Sequence, residues 1–289
     1  MNGIFLIDKP AGWTSFDVVN KLKHLVHTGR VGHSGTLDPM ATGLLVVFIG
    51  RATRAVEFAE ADSKRYIAGL RLGITTDTQD TTGTALSERE VNVTAAQLSE
   101  TLAGFVGAQQ QIPPMYSAIK LNGQRLYDIA RKGGEVERKP RDITVHDISL
   151  VGCDSGDYIL DITCSKGTYI RTLCNDIGEK LECGGCMSSL RRIRAGSFSV
   201  DDAHTIDEMI AAADSGTLDD LLLPVDKLFS EHPAITVNAR QEKSIRNGGS
   251  ITANSPAGKV RVYSENGEFL ALARAENGVI TTIKSFFEV

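Results

Sequence analysis

Residues 29–45 read GRVGHSGTLDPMATGLL, and this stretch joins two segments with regular hydrophobic patterns. The residues before it, 16–26, repeat apolar side chains with helical spacing, and the apolar run 44–49 has the length of a buried strand. Four glycines allow positive φ angles and a close approach of the backbone to another group. The pattern predicts a glycine-rich loop on a rigid scaffold, where catalytic groups usually lie, and we take its one aspartate, Asp38, as the candidate catalytic residue.

The size and composition of the chain are those of a globular protein with more than one domain. Its 289 residues exceed one typical domain, and 42% hydrophobic and 23% charged residues are ordinary values. There is no run of about 18 apolar residues, so the sequence predicts no transmembrane helix. Residues 1–4, MNGI, lack the basic region and cleavage site of a secretory signal. We therefore expect a cytoplasmic protein without membrane association.

The five cysteines do not form the pattern of a disulfide framework, because their number is odd and their spacing irregular. Cys183 and Cys186 make a single C-x-x-C motif, whereas a four-ligand zinc site needs a second pair. We therefore expect reduced cysteines rather than a metal or redox site.

The net charge of −5 does not by itself exclude a nucleic-acid partner, because the acidity is concentrated in one segment. Residues 201–226 contain eight acidic residues and no lysine or arginine, while the rest of the chain is almost balanced. Helical spacing in this segment predicts a solvated cover. An RNA-binding face elsewhere on the molecule is compatible with this distribution.

Hydrophobic periodicity predicts mixed strands and helices, followed by a smaller β-rich segment. Strands are predicted at 3–7, 44–49, 64–73, 143–150, 158–164 and 189–196, and helices at 16–26, 94–105 and from about 169 to 180. The alternation in 143–150 and 158–164 is typical of paired antiparallel strands. From about residue 230, short strands separated by Asn-Gly and Gly-Gly turns predict an all-β module of about 60 residues.

Residues 166–173, KGTYIRTL, predict the start of a helix with Thr168 as its N-cap. Tyr169 and Arg171 then lie in the first turn. A cation at a helix N-terminus opposes the helix dipole by at least a few tenths of a kcal/mol. Arg171 is therefore a candidate for an ion pair with a carboxylate. The alternative is that Arg171 is a helix residue without such a partner.

Other polar and aromatic residues have two interpretations on the pattern alone. Lys9 is expected to be a solvated loop lysine. Tyr66 lies on the apolar face of a predicted strand, which favours a core aromatic. Arg191, Arg192 and Arg194 on one predicted strand suggest an edge that contacts phosphates, or else a charged edge that prevents aggregation.

Six blocks of sequence, in register, resemble the TruB family of tRNA pseudouridine synthases. They cover residues 4 to about 200 and comprise DKP (8–10) with GWTS (12–15), GHSGTLDPMATGLL (32–45), KRYIAGLRLG (64–73) with TTDTQDTTG (75–83), QIPPMYSAIK (111–120) with NGQRLYDIARKG (122–133), CSKGTYIRTL (164–173), and SSLRRIRAGSF (188–198).

The resemblance implies an α+β fold, in which a large mixed, mainly antiparallel sheet carries flanking helices and a small PUA-like β-module follows. We place the catalytic domain at residues 1–229 and the PUA-like RNA-binding domain at 230–289. The family converts uridine 55 in the TΨC loop of tRNA to pseudouridine, so the expected partner is the tRNA T-arm. The resemblance implies neither a cofactor nor a metal, which agrees with the lack of a P-loop or dinucleotide motif in the sequence. We expect a monomer without an obligate protein partner.

The resemblance also assigns roles to the residues of the reaction centre. Asp38 matches the family's catalytic aspartate, a carboxylate that can attack and also leave. Whether it attacks ribose C1′ or base C6, or abstracts a ribose proton, is left open. Arg171 matches the arginine that keeps this carboxylate ionised and oriented. Tyr66 matches the tyrosine that stacks on the target base and helps to remove a proton, in place of the core aromatic expected above.

Four further residues are implied to bind substrate. Tyr169 matches a second active-site aromatic, and Leu190 matches an apolar wall beside the uracil. Lys9 matches a basic residue near the site, with a structural or phosphate-contacting role. His33 matches the residue that stacks in the space left by the flipped uridine, where an aromatic ring suits RNA.

Three other functions are compatible with parts of the pattern. A glycosidase needs two carboxylates, and Asp77 or Asp80 could supply the second one. A non-catalytic RNA-binding or RNA-folding protein could use the same surface, although the set of Asp38, Tyr66 and Arg171 disfavours inactivity. The related guide-RNA-dependent branch works inside a multiprotein particle, but the short terminal module and the absence of basic tails favour a stand-alone enzyme.

Overall fold

The computed structural model describes residues 1–60, 63–117, 119–121 and 123–287. In these ranges the helices and strands are, in chain order, β1 (Gly3–Lys9), α1 (Ser15–Leu25), β2 (Val31–Ser34), β3 (Thr42–Ile49), α2 (Val56–Glu60), β4 (Lys64–Leu72), β5 (Ile74–Thr76), β6 (Ala85–Glu88), α3 (Ala95–Ala103), β7 (Gly107–Gln111), β8 (Lys120–Leu121), β9 (Gln124–Arg125), α4 (Leu126–Ala130), β10 (Arg141–Asp154), β11 (Asp157–Cys164), α5 (Ile170–Lys180), β12 (Gly185–Ala195), β13 (Phe198–Ser199), α6 (Ile206–Ser215), β14 (Ala234–Val237), α7 (Ala239–Arg246), β15 (Ile251–Thr252), β16 (Gly258–Ser264), β17 (Phe269–Glu276) and β18 (Val279–Ser285). Short 3₁₀ helices lie at Gly50–Ala55, Val200–Asp202, Leu218–Leu221 and Val225–Phe229.

A large sheet in the order β1-β3-β12-β4-β11-β10-β7 forms the body of the molecule, with β2 added to β3 and β13 to β12. Its pairings are antiparallel except for β3 with β12, which run parallel. The expected mixed, mainly antiparallel sheet in an α+β fold is therefore confirmed.

The parallel contact of β3 with β12 depends on Gly43, which has a φ of +97°. A Cβ atom on this residue would lie 2.3 Å from the carbonyl oxygen of Arg192, a distance at which atoms overlap. Only glycine can adopt this positive φ and also leave room for the Arg192 carbonyl oxygen without strain. The close approach brings β12 beside the segment that contains Asp38, between β2 and β3.

Apolar side chains cover both faces of the sheet, which explains the uninterrupted apolar run of β3. One core cluster joins β4 and β11 to α3 and α5 through residues such as Leu70, Leu98 and Leu173. Another packs α1 and α6 on β1 and β3. The acidic residues of α6 face solvent while its Met209 is buried, so the predicted solvated cover is confirmed.

The C-terminal residues form a second sheet in the order β14-β16-β17-β18-β15, as expected for a small β-module. Its own core includes Val260, Leu270 and Ile280. Leu272 and Phe286 instead pack with Phe229 in a cluster that extends to β1 and β3. The β-module is thus attached to the main sheet by an apolar contact.

The predictions for the glycine-rich stretch and for the C-terminal module are each wrong in one respect. The glycine-rich stretch is not entirely loop, because β2 pairs with β3 over Val31–Ser34. Four residues with two polar side chains give no strand pattern by themselves, and the pairing arises from the adjacent buried strand. The C-terminal module is not purely β, since α7 occupies Ala239–Arg246 with a capping box between Asn238 and Gln241.

All five cysteines lie within the described residues. All five cysteines are free thiols, and Cys183 and Cys186 are buried. Among the described residues, no group of three or more His, Cys, Asp or Glu side chains is arranged to hold a metal ion. None of the helices in the described ranges has both the length and the apolar character needed to cross a membrane.

Candidate active site

Asp38 lies on the connection between β2 and β3, and buried side chains from other elements hold this connection in place. The hydroxyl of Ser15 at the start of α1 accepts a hydrogen bond from the N–H of Leu37 at 2.9 Å. Arg192 on β12 donates to the carbonyl of Gly35 at 3.0 Å. The backbone on the N-terminal side of Asp38 is therefore attached to both α1 and β12.

Lys9 at the end of β1 fixes the other side of the same connection. Its ammonium donates to the carbonyl oxygens of Pro10 at 2.8 Å, Trp13 at 2.6 Å and Pro39 at 3.3 Å. The residue is 0% exposed, so the prediction of a solvated loop lysine is wrong. The reason is that β1 continues through Lys9, where its pairing with Gly43 turns the side chain inward. Burial lowers the pKa of Lys9 to about 8, although the nearby carboxylate of Asp38 favours its charged form.

Arg171 makes a two-point contact with Asp38, across 133 residues of sequence. Its Nε lies 2.9 Å from Asp38 Oδ2, and its Nη2 donates to Asp38 Oδ1 at 3.1 Å. The same guanidinium donates to the carbonyls of Thr78 at 3.1 Å and Tyr116 at 2.8 Å. The planar fork is thereby fixed before any ligand binds, and it orients the carboxylate.

Asp80 is a second carboxylate near this pair, with its Oδ2 3.8 Å from Arg171 Nε. It belongs to the loop between β5 and β6, where its Oδ1 accepts hydrogen bonds from the Thr78 hydroxyl at 2.8 Å and the Thr82 N–H at 2.9 Å. The residue is buried, and these contacts occupy it within its own loop. Asp80 therefore neutralises part of the charge of Arg171, but its side chain is 7% exposed whereas that of Asp38 is 34% exposed.

The environment of Asp38 has opposing effects on its ionisation. Burial raises the pKa of Asp38, the Arg171 guanidinium lowers it, and the charge of Asp80 raises it again, so that the net direction is upward. The side chain remains 34% exposed, whereas that of Arg171 is 6% exposed. A carboxylate that is held by a buried cation and exposed on one side can react with a ligand that binds at this exposed side.

Tyr66 and Leu190 form an apolar surface beside this pair. Tyr66 on β4 pairs in register with Arg192 on β12, and Leu190 pairs with Ala68, so both side chains lie on the same face of the sheet. They belong to one buried cluster with Leu37, the residue before Asp38. Burial raises the pKa of Tyr66, and the Arg192 guanidinium opposes this rise. Tyr66 is thus a core aromatic, as its pattern predicted, and also a neighbour of the candidate catalytic carboxylate.

Tyr169 is the N-cap residue of α5, in place of the predicted Thr168. The Thr168 hydroxyl donates instead to the carbonyl of Ser165 at 3.0 Å. The main chain of Tyr169 is bonded to the side chain of Gln111. Burial raises the pKa of Tyr169, while the charge of Arg171 lowers it and that of Asp38 raises it.

His33 lies on β2, opposite Val47 of β3, rather than in a loop. Its Nδ1 is buried and has no hydrogen-bond partner in the part of the chain that the structure describes. Burial lowers the pKa of His33, and the positive charge of Arg192 lowers it further. The neutral ring is therefore favoured, which makes it suitable for stacking on a nucleobase.

The arginines of β12 do not form the phosphate-contacting edge that the sequence suggested. Arg192 is 1% exposed and donates to the carbonyls of Leu44 at 2.7 Å and Gly35. Arg191 pairs with Asp8 at 3.0 and 2.7 Å, and Arg194 is exposed. The alternation of side chains along the strand could have predicted the burial of Arg192, because Leu190 and Arg192 lie on the same inward face. No pattern in the sequence indicated the role of Gln111, because its hydrogen-bond partner is the main chain of a residue 58 positions away.

Comparison with known proteins assigns the whole chain to one family. A model described as TruB family pseudouridylate synthase, N-terminal domain, matches residues 23–170. Models of the tRNA pseudouridylate synthase B C-terminal domain and of the pseudouridine synthase II TruB C-terminal region match residues 171–230 and 233–282.

Individual proteins match over nearly the full length. The tRNA pseudouridine synthase B of Clostridium kluyveri is 41% identical over 292 residues, covering 99% of this chain and 100% of that protein. The enzyme of the same name from Bacillus subtilis is 40% identical, covering 94% and 92%. The protein in a solved Cbf5-Nop10-Gar1 complex has the same fold, with a TM-score of 0.75 at 24% identity over 99% of this chain and 85% of that one. These matches show that the chain belongs to the TruB family of pseudouridine synthases.

Proposed function

We propose that this protein isomerises uridine 55 in the TΨC loop of tRNA to pseudouridine, with Asp38 as the nucleophile. Relatives at about 40% identity are named tRNA pseudouridine synthase B, which supports tRNA as the substrate. The position within tRNA rests on the sequence resemblance. The observation that carries the chemical part is the two-point contact between Asp38 and the buried Arg171.

The reaction breaks the bond between ribose C1′ and uracil N1 and forms a bond between C1′ and C5. A group that assists it must attack as an anion and later leave, which suits an ionised carboxylate. Arg171 favours the ionised form of Asp38 by its charge, through the ion-pair contact of Nε with Oδ2, and by the hydrogen bond from Nη2 to Oδ1. Because the other side of the Asp38 side chain is exposed, the nucleophile is accessible without movement of the pair.

The uracil is proposed to lie against Tyr66 and Leu190, with Tyr169 on the opposite side. The apolar surface of Tyr66 and Leu190 would stack on the base and leave its edges free to rotate. After rotation, C5 must lose its hydrogen, and we propose that Tyr66 helps to remove this proton. Burial raises the pKa of Tyr66, and the buried Arg192 beside it opposes this rise because its charge favours the deprotonated phenol.

His33 is proposed to occupy the space that the flipped uridine leaves. Extrusion of a stacked base costs a few kcal/mol, and a stacking side chain recovers part of this cost. The half-buried ring, for which the neutral form is favoured, supports the role. Lys9 is proposed to act through the shape of the Asp38 connection, because its ammonium is bonded to three carbonyls there.

The chain is proposed to work as a cytoplasmic monomer with two domains, 1–229 and 230–289, that together bind the T-arm. The separate sheet after residue 233 supports the division. Some solved structures of this fold contain partner proteins. Activity and sedimentation of the purified chain alone therefore test the monomer proposal.

Release of tritium tests the function directly. In a tRNA transcript labelled with tritium at uracil C5, formation of the C1′–C5 bond releases the label to water. We expect release by the wild type from one uridine per tRNA and none by Asp38→Asn, which keeps the size of the side chain. Release from a transcript with uridine 55 replaced by cytidine would refute the assigned position. Full activity of Asp38→Asn would refute the nucleophile, and an inactive wild type would refute the function.

A further inference from the structure

Gln111 is bonded to both main-chain polar groups of Tyr169. Its Oε1 accepts from the Tyr169 N–H at 2.8 Å, and its Nε2 donates to the Tyr169 carbonyl at 3.1 Å. Gln111 is 4% exposed and is the last residue of β7, an outer strand of the main sheet. The amide therefore presents an acceptor and a donor side by side, as the backbone of an adjacent strand would.

The start of α5 needs such a support. Tyr169 is its N-cap residue, yet no side-chain cap is present there, and the first turn contains the buried cation Arg171. A positive charge in this position disfavours the first turn. Gln111 compensates by fixing the backbone where the helix begins, since the Tyr169 carbonyl also accepts the first helical hydrogen bond, from Leu173 at 3.0 Å.

The segment that begins at Gln111 contacts α5 a second time through Tyr116. The carbonyl of Tyr116 accepts from Arg171 Nη2 at 2.8 Å, and the same nitrogen donates to Asp38. Residues 111–116 thus bind α5 at Tyr169 and at Arg171. A shift of the Tyr169 backbone would move Arg171, two residues later, relative to both of its acceptors.

We infer that Gln111 is a positioning residue of the active site, which sets where α5 begins and so aligns Arg171 with Asp38 and places the ring of Tyr169. This inference rests on the proposed function of Asp38 and Arg171. It assigns a role in the chemical step to a neutral side chain that does not touch the reacting atoms.

The variant Gln111→Glu provides a test in which pH changes one hydrogen bond. A protonated glutamate has the same length as glutamine and offers the same acceptor and donor, whereas an ionised one presents an oxygen to the Tyr169 carbonyl. Because residue 111 is 4% exposed, burial should raise the pKa of this glutamate above its ordinary value of about 4.3. The ratio of the single-turnover rates of Gln111→Glu and wild type should therefore be highest at the acid end of the measured range and fall about tenfold or more as the glutamate ionises. Affinity for tRNA should change less than the rate.

The variant Gln111→Met and two neighbours complete the test. Gln111→Met keeps the length but makes neither bond, so we expect a rate about tenfold or more below wild type with the same ratio at every pH. Gln110→Glu and Gln110→Met, at the adjacent exposed position, should retain the wild-type rate and pH profile. A wild-type rate for Gln111→Met in the folded state, or a rate for Gln111→Glu that rises as the glutamate ionises, would overturn the inference.

Hydrogen exchange at the Tyr169 amide gives a measurement that does not require activity. We expect faster exchange in Gln111→Met than in wild type or Gln110→Met, because this N–H loses its acceptor. Unchanged exchange would refute the contact itself. An inactive wild type with the expected change in exchange would instead refute the proposed function and leave the role of Gln111 at α5 supported.

Discussion

The main body, which carries Asp38, and the C-terminal β-module bury different kinds of side chain. Among the described residues, all the buried charged side chains belong to the main body, namely Lys9, Lys64, Asp80, Arg171 and Arg192. The β-module buries Ser264 as its polar residue and otherwise an apolar core. Its arginine Arg246 pairs with Glu242 at 2.8 Å in a more exposed setting.

This difference separates the region of the proposed chemistry, around Asp38, from the β-module, whose core contributes to stability. Burying a charge costs several kcal/mol unless hydrogen bonds and opposite charges compensate for it. This cost is compensated at Lys9, Arg171 and Arg192, which contact the Pro39 carbonyl, the Asp38 carboxylate and the Gly35 carbonyl. Substitutions of residues that contact Asp38 should therefore change the rate of reaction most, and substitutions at the contact between the main body and the β-module should change mainly the stability of the fold.

The largest expected effect is on the rate of Arg171→Met. Removal of the cation leaves Asp38 without its partner, and we expect the single-turnover rate to fall by about 10²- to 10³-fold. Loss of the positive charge also raises the pKa of Asp38, so the acid limb of the pH–rate profile should move to higher pH. Single-turnover tritium release across pH measures both. An unchanged acid limb would show that Arg171 does not control the ionisation of Asp38.

The next effect is on the stability of Phe229→Ala. Phe229 is buried at the junction of the two sheets, with its ring centroid 5.5 Å from that of Phe58 and 5.9 Å from that of Phe286. Its truncation should lower the free energy of unfolding by about 3 to 5 kcal/mol. Urea denaturation measures this loss, and the specific activity of the folded fraction should stay at the wild-type value. A large loss of rate in the folded state would break the proposed separation between chemistry and stability.

A smaller effect concerns the pH dependence of stability at Lys9. The pKa of Lys9 is about 8 in the folded protein, and we take its ordinary value of 10.5 for the unfolded chain. Between these two pH values, the unfolded chain binds a proton that the folded chain has released. Stability should therefore increase over this range. Relative to Lys9→Met, the wild type should gain about 1 to 2 kcal/mol between pH 7 and pH 9.5 in urea denaturation. A constant difference between the two proteins would show that Lys9 keeps an ordinary pKa.

The smallest effect is expected for Glu57→Gln, which removes an ion pair between the main body and the β-module. Glu57 lies 2.7 Å from the Nζ of Lys284, but its side chain is 61% exposed. Exposed pairs contribute about 0 to 1 kcal/mol and are screened by salt. We expect a change in melting temperature of less than about 4 °C at low salt. A larger change would mean that charge, rather than the Phe229 cluster, attaches the module.

Local patterns predicted the main elements well because strands and helices differ in the spacing of their apolar residues. The run 44–49 and the alternation of 143–150 and 158–164 correspond to β3, β10 and β11. The errors occurred where tertiary contacts outweigh local preference. Lys9 is buried because its strand is longer than its apolar run, and β2 exists because β3 offers an unpaired edge.

The sequence by itself determined the family, the position of Asp38 between a helix and a buried strand, and the β-rich character of the C-terminal residues, since these depend on residue identity and short-range spacing. The resemblance implied that Arg171 meets Asp38, but only the tertiary structure decided the geometry of this pair and the groups that support it. Arg171 reaches Asp38 across 133 residues, and Gln111 reaches Tyr169 across 58. Such contacts depend on the register of β12 and β4 and on the packing of α5 against them. The hydrophobic periodicity of a single helix or strand does not indicate which distant residues will contact each other.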